Sequence, residues 1–351
     1  MTRREIFLRY LALAALNTRA LAIKRKAELR GQGRWLARII GDRRTFRSLI
    51  RWLDKMFVPR WRFASLLERY HPDLLFSTDV QNSYDVRLMH EAQQHGILVI
   101  GMVRSWDNLT SKGLMRIIPD LLLVNNEIVK GEAVRYDDVP RERIRVVGIP
   151  HYDAYVTESR TPRSAFFARI GGNPAKRLVL FTPTGDRYLA ENTVDREILE
   201  IMRDTLPPDC QILVRFPPQD TVNFDLFEND GRVLFERPRT SYTGLPRKTE
   251  LTRDLDRHLA DTLAYADLVV SGPSTISIDA AAFDKPVVLV GFDGQQGRPY
   301  KESVRRLFDY EHQQPIIASG GARLAKSVAE FKELLRVYFA DPTRDRAGRQ
   351  R

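Results

Sequence analysis

The sequence predicts an α/β protein of two doubly wound, parallel-sheet domains, the first one preceded by basic helices. Three observations carry that reading. From Leu67 onward, short apolar runs alternate with helix-compatible segments, the rhythm of βαβ units. Runs such as Leu268–Val270 are apolar at every position, as expected for buried parallel strands. The chain has 351 residues, enough for two domains of ordinary size.

Composition narrows the class. Hydrophobic residues make up 43% and charged residues 29%, a globular balance. No run approaches the ~18 apolar residues of a membrane span. Cys210, the single cysteine, opens an apolar strand and reads as a buried structural thiol in a reducing compartment. There is no CxxC pair, metal-binding cluster, P-loop or G-x-S-x-G elbow, and no internal repeat. Residues 1–62 carry 17 Lys and Arg against 4 Asp and Glu, a net of +13 beside +11 for the whole chain. The basic character therefore belongs to one end, and it implies a polyanionic surface as partner. No nucleic-acid motif accompanies it, so nucleic acid is not expected.

Residues 1–62 form the first region. Phe7, Leu8, Leu11, Leu13, Trp35, Leu36, Ile39, Ile40, Phe46, Leu49, Ile50, Leu53 and Phe57 recur at mixed three and four spacings, which reads as helices with Arg facing out. Two readings fit: a peripheral helix on an anionic membrane surface, or a helix of the first domain with a solvated basic face. The opening residues also resemble a signal peptide, but Arg9 and Arg19 interrupt the apolar stretch and Lys24-Arg25-Lys26 follows it. The localisation expected is cytoplasmic, on the inner face of the plasma membrane if the helix reading holds.

Residues 63–155 form the first α/β domain, which would hold an acceptor. Strands are expected at Leu74–Ser77, Ile97–Val103, Leu121–Val124 and Ile144–Val147, with helices near Tyr84–Gln94 and Ile128–Val134. The loop from Arg104 to Gly113 follows a strand, where ligands of open α/β sheets sit. It holds Trp106 to stack on a sugar, Asp107 as a candidate general base, and Arg104 and Lys112 for a phosphate. Asn108 adds a polar acceptor contact or caps the next helix.

Residues 156–342 form the second domain. Arg177–Phe181 is its first strand, followed by the polar turn Thr182-Pro183-Thr184-Gly185-Asp186-Arg187. Then come a helix at Glu191–Leu206, a strand at Gln211–Arg215, a short strand at Val233–Phe235 and a helix at Leu255–Tyr265. That last helix carries Asp256, His258 and Asp261, which read as solvated. Its central stretch runs strand Leu268–Val270, turn Ser271-Gly272-Pro273-Ser274-Thr275, helix Ile276–Phe283 and strand Val287–Val290. A helix opening after a strand presents unpaired N–H groups to a phosphate. Small residues let a diphosphate approach, and Asp279 lies one turn further on the same face, placed for a ribose diol. The plainer alternative is an ordinary βα turn with a capping serine. His312 beside Glu311 is a candidate proton shuttle. Residues 326–340 form a final helix, and 343–351 read as a frayed tail.

The spacing S-x-x-S-T-x-x-x-D-x-x-x-x-x-K-P from Ser271 to Pro286 resembles the C-terminal nucleotide-binding element of GT-B transferases. It is closest to the CDP-glycerol glycerophosphotransferases and the UDP-N-acetylglucosamine 2-epimerases. The resemblance spans roughly Leu74 to Pro342. It implies two Rossmann-like domains, a diphosphate held by the hydroxyl-rich turn, and a ribose held at Asp279. The turn at Thr184 and Gly185 would touch the donor phosphates. Arg215-Phe216-Pro217-Pro218 is similar to the family's R-P-H-P with its His lost, which makes Arg215 a diphosphate clamp or a salt-bridge residue. Val146–Asp153 resembles the V-x-G-x-P-x-x-D hinge, with His151 a candidate catalytic residue. The His-Gly pair often found on the acceptor-side loop is absent. A GT-B first domain also normally opens with a strand and a Gly-rich loop. No such strand precedes Leu74, so either basic helices replace it or the chain is truncated.

The expected activity is transfer of a sugar from a nucleotide-diphosphate donor to a surface-polysaccharide or lipid-linked acceptor, without cofactor or metal. The alternatives are a CDP-polyol phosphotransferase, a nucleotide-sugar 2-epimerase and a non-catalytic nucleotide-binding scaffold.

Overall fold

A computed structural model describes residues 3–16, 18–22, 43–57, 61–186, 188–189, 192–217, 222, 224–227, 230–237, 241–242, 249–250 and 252–351. The expectations at Lys24–Lys26, Trp35, Leu36, Ile39, Ile40, Arg187, Glu191 and Pro218 lie outside these residues. The chain divides into two units, Met1–Ile149 with Tyr310–His312, and Pro150–Asp309 with Gln313–Arg351. The division falls just before His151, because the helix Asp153–Thr157 packs with the second unit: Tyr155 is buried and its ring lies 5.0 Å from that of Phe283.

In the first unit, strands β1 (Leu74–Ser77), β2 (Leu98–Met102), β3 (Leu121–Val124) and β4 (Ile144–Val146) form a parallel sheet in the order β1-β2-β3-β4. Right-handed crossovers in a single direction put every crossover helix on one face. Val99, Leu122, Val124 and Ile144 meet Val86, Met89 and Val129 of those helices in the core. The alternate residues Leu74, Phe76 and Leu98 are exposed. Asn82 and Asn126 cap the helices Ser83–Gln94 and Glu127–Asp137, accepting from Tyr84 N and Val129 N. Among the described residues, no strand precedes β1. The helix Arg3–Ala14 instead packs in a separate small cluster of the unit: Ala12 and the following Ala15 pack with Ile50 and Leu114. Gly113 sits at φ +91°, and a Cβ there would lie 3.0 Å from the Ala12 carbonyl oxygen.

In the second unit the strands are β5 (Arg177–Thr182), β6 (Cys210–Arg215), β7 (Val233–Glu236), β8 (Ser241–Tyr242), β9 (Thr249–Glu250), β10 (Leu268–Ser271), β11 (Val287–Val290) and β12 (Ala322–Ala325). β8 and β9 form a short antiparallel pair. The other six make a parallel sheet in the order β12-β11-β10-β5-β6-β7. Counted from β5, this is the doubly wound 3-2-1-4-5-6 arrangement, whose direction reverses between its first and fourth strands. That switch point falls between β5 and β10. Every residue of β6, β10 and β11 is buried, which explains the apolar runs Ile212–Val214, Leu268–Val270 and Val287–Val290 within them. Cys210 is buried among them, and burial pushes its thiol pKa up.

Two expectations are corrected. The helix Arg253–Tyr265 does not present its His258 and Asp261 to solvent. Both are buried, and Asp261 accepts from Thr161 N at 3.1 Å. The tail is not frayed either. Arg346–Arg349 is a helix, Arg349 donates to Asp284 at 2.8 Å, and Asp345 receives Tyr338 and Arg323. Gly321 and Gly348 allow this docking, since a Cβ on Gly321 would fall 2.7 Å from the Gly348 backbone.

Candidate functional site

The candidate donor residues gather at the carboxyl ends of β5, β6, β7 and β10, around the switch point. Thr182 Oγ1 donates to Ser271 Oγ at 2.7 Å, so that pair of hydroxyls ties β5 to β10, and Ser271 is fully buried. Gly272 is required by the protein itself: a Cβ there would lie 2.4 Å from Thr184 Oγ1. The two polar turns are packed directly on each other. The N–H groups of Thr184 and Gly185 are not open to a phosphate, because Asp195 accepts both, at 2.8 and 2.9 Å. Asp195 lies in the first turn of the helix Val194–Thr205, where a carboxylate is favoured by the helix dipole. Sequence reasoning missed it, although an acidic residue at a helix start was the available signal. What the turn after β10 leaves outward are Pro273, half-buried, and the exposed Ser274 and Thr275, just ahead of the helix Ile276–Ala282.

Asp279 is also already engaged. It is buried, Tyr155 donates its phenolic proton to Oδ1 at 3.3 Å, and Tyr152 hydrogen-bonds to it as well. Burial raises its pKa, opposed by Tyr152 and by the nearby His151. His151 Nε2 lies 3.0 Å from the Tyr155 oxygen and its Nδ1 4.0 Å from Asp256. Since the Tyr155 proton goes to Asp279, Nε2 of His151 carries the proton it gives to Tyr155. His151, Tyr155 and Asp279 are thus one hydrogen-bonded chain. Beside it opens a cavity of about 300 Å³ lined by His151, Tyr155, Arg253, Asp256 and Arg257. The tyrosines and this cavity were not foreseen; their partners lie too far along the chain for local spacing to show them.

Arg215, at the end of β6, is buried and paired with Glu236 at the end of β7. Glu236 also receives His258 Nε2 at 3.1 Å. Burial acts to raise the Glu236 pKa, but His258 and Arg215 overcome it and hold the carboxyl below its ordinary value. The other oxygen, Glu236 Oε2, and His258 Nδ1 are buried with no partner among the described residues.

In the first unit, the loop after β2 is organised by its own acid. Asp107 accepts from Ser105 Oγ at 2.6 Å and from Ser111 Oγ at 3.0 Å, so both carboxylate oxygens brace the loop. Asn108 and Thr110 are buried. Arg104 and Lys112 flank Asp79, 3.5 and 3.7 Å away. Trp106 stands edge-on to His312, with ring centroids 4.9 Å apart.

Thr110 Oγ1 lies 2.9 Å from His312 Nδ1 and 3.1 Å from the Asp107 carbonyl oxygen, an acceptor for its single proton. A Thr110 proton on that carbonyl makes His312 Nδ1 the donor in the pair and leaves Nε2 with its lone pair. Burial lowers the His312 pKa against the pull of Asp107 and Glu311, which favours the neutral ring. Glu132 belongs to the same neighbourhood. Burial, together with Asp137, Glu311 and Asp107, pushes its pKa up to about 7. Among the described residues, no group of three or more His, Cys, Asp or Glu side chains is placed to hold a metal ion.

Comparison with known proteins places this geometry. Three solved structures illustrate the fold. The UDP-GlcNAc 2-epimerase of Methanocaldococcus jannaschii superposes with a TM-score of 0.53 at 14% identity, over 86% of this chain and 80% of that one. A putative UDP-N-acetylglucosamine 2-epimerase of Listeria monocytogenes gives 0.53 at 14% identity, over 100% and 89%. The Neisseria meningitidis UDP-GlcNAc 2-epimerase bound to UDP-GlcNAc gives 0.54 at 14% identity, over 86% and 76%. At these identities the likeness is one of fold, and the fold is GT-B-like. No curated protein sequence matches the chain. Residues 105–339 match the model of the CDP-glycerol:poly(glycerophosphate) glycerophosphotransferase family. That stretch covers most of the chain and runs from the loop after β2 through both turns at the switch point, so this protein is a transferase belonging to the CDP-glycerol:poly(glycerophosphate) glycerophosphotransferase family.

Proposed function

We propose that the chain transfers a group from a nucleotide-diphosphate donor to a hydroxyl of a surface-polysaccharide or lipid-linked acceptor, as a step of cell-envelope polysaccharide synthesis. The observation that carries this reading is the switch point of the second sheet, where Ser274 and Thr275 turn outward beside the His151–Tyr155–Asp279 chain. The donor diphosphate sits against those hydroxyls and the Arg253 and Arg257 side of the cavity, with Arg215 a fixed positive charge behind. Asp279 acts through the tyrosines, which meet the ribose in its place. Charge on the departing nucleotide is met by these cations and hydroxyls, without a metal. Trp106, Arg104 and Lys112 receive the acceptor, and His312 Nε2 takes the proton of its hydroxyl. Residues 1–62 rest on an anionic membrane surface.

The family match favours a CDP-polyol donor. A sugar donor is the second reading, because the Neisseria meningitidis fold neighbour binds UDP-GlcNAc. A thermal-shift series with CDP, UDP, GDP and TDP separates them. A CDP-specific shift of a few degrees, lost in Ser274→Ala with Thr275→Val, supports the polyol reading. A UDP- or GDP-specific shift supports the sugar. No shift from any nucleotide removes the donor site from the switch point.

A further inference from the structure

The helix Arg44–Phe57 of the first unit has apolar side chains on both faces: Ile50 is fully buried in the unit, while a second apolar stripe points outward. Three of its charged side chains, Arg47, Arg51 and Asp54, face the protein beside the buried Ile50. Arg47 forks onto Asp138 at 2.8 and 2.6 Å. Arg51 donates to the carbonyls of Met115 and Asp137 at 3.0 and 2.6 Å. Asp54, fully buried, accepts from Arg116 at 2.9 Å and lies 3.1 Å from His90 Nε2. On the opposite stripe, spaced three and four residues apart, Leu49, Trp52 and Met56 are 48, 56 and 52% exposed. An ordinary surface helix keeps such an apolar stripe inward. The inward charges are satisfied by their pairs, but the outward apolar side chains gain nothing from water.

The surroundings of this stripe indicate what covers it. Arg43, Arg44 and Lys55 are exposed beside it, while Asp54, the helix's one acid, is buried. Among the described residues of the helix, the outward face therefore carries cations and no anion. A second copy of the chain would bring two such faces together against their own charge. An anionic bilayer offers both an apolar interior for the stripe and phosphates for its flanks. In the helix Arg3–Ala14, by contrast, Leu8, Ala12 and Leu13 are buried in the unit.

We propose that the Leu49, Trp52 and Met56 face of the helix Arg44–Phe57 inserts into the headgroup region of an anionic bilayer, with Arg43, Arg44 and Lys55 on the lipid phosphates. This rests on the membrane reading above and names the face that performs it. The test is flotation of the full chain with vesicles of phosphatidylcholine alone or mixed with phosphatidylglycerol. The wild type floats with the anionic vesicles, and Trp52→Glu and Met56→Ser each weaken binding about tenfold. Their unchanged thermal unfolding shows that these exposed substitutions leave the fold intact. Wild-type flotation that survives in both variants keeps the membrane reading and overturns this face. Absence of wild-type flotation overturns both. Equal binding to the two vesicle types, or a dimer in sedimentation that Trp52→Glu dissociates, also overturns the proposal.

Discussion

Thr110 Oγ1 lies 2.9 Å from His312 Nδ1 and decides which nitrogen of that ring carries the proton. With the Thr110 proton given to the Asp107 carbonyl, His312 is held as the Nδ1–H tautomer. Nitrogen NMR of labelled protein is expected to show a pyrrole-type Nδ1 and a pyridine-type Nε2 at His312. Thr110→Val is expected to abolish that preference and lower kcat with little change in KM, and Thr110→Ser to restore both. An Nε2–H tautomer in the wild type would sink the assignment.

Gly272 and Thr184 make the two polar turns interdependent. A methyl on Gly272 meets Thr184 Oγ1 at 2.4 Å and its Cα at 3.1 Å, so the backbone must shift. Gly272→Ala is expected to cost about 1–3 kcal/mol of stability and to weaken nucleotide binding. Denaturant unfolding and calorimetric titration measure the two effects separately.

Glu236 is the shared anion of Arg215 and His258. Glu236→Ala leaves a buried guanidinium without its partner, a loss of about 3–5 kcal/mol. Arg215→Met with His258→Phe, beside Glu236→Leu, is expected to recover most of it. If Glu236→Ala unfolds at the wild-type denaturant midpoint, the buried pair has no part in stability.

Two carboxyls give the first unit a pH-dependent stability. Burial first, and neighbouring acids, hold Glu132 at about 7, and burial holds Asp137 at about 7 against Met115 N and Arg51. A raised carboxyl pKa means the folded state binds the proton more tightly than the unfolded chain. Between pH about 4, where the unfolded carboxyls ionise, and about 7, the folded state keeps protons that the unfolded state has lost. Their contribution is therefore fully present below that window and is lost as pH rises through it. Glu132→Gln is expected to flatten this fall and to raise Tm at pH 8 by a few degrees over the wild type. An unchanged slope of Tm against pH would place the titration elsewhere.

The strands and the turn at Ser271–Thr275 were legible because apolar runs and Gly/Pro punctuation are local signals. The pairings at the site were not, because the partners are remote. Tyr155 reaches Asp279 across 124 positions, and Asp195 fills N–H groups that a turn motif alone leaves open. The helix Arg44–Phe57 shows a different limit. Its charged and apolar residues repeat with the same helical period, so the pattern states that two faces exist but not which one points inward. The partners placed opposite settle that, the Asp138 carboxylate for Arg47 and the Asp137 carbonyl for Arg51.

The two sheets also differ in when they can be completed. In the order β1-β2-β3-β4 each strand pairs with the one made just before it, so that sheet can assemble as the chain emerges from the ribosome. β5 has no such option on its inner side. Its neighbour there is β10, with Val179 opposite Leu268, and the whole of β6 to β9 must be synthesised first. The seam closed by that late pairing is the one between Thr182 and Ser271. The proposed nucleotide site is thus among the last features to appear during biosynthesis, and a nascent chain halted before β10 has the outer half of the sheet without it.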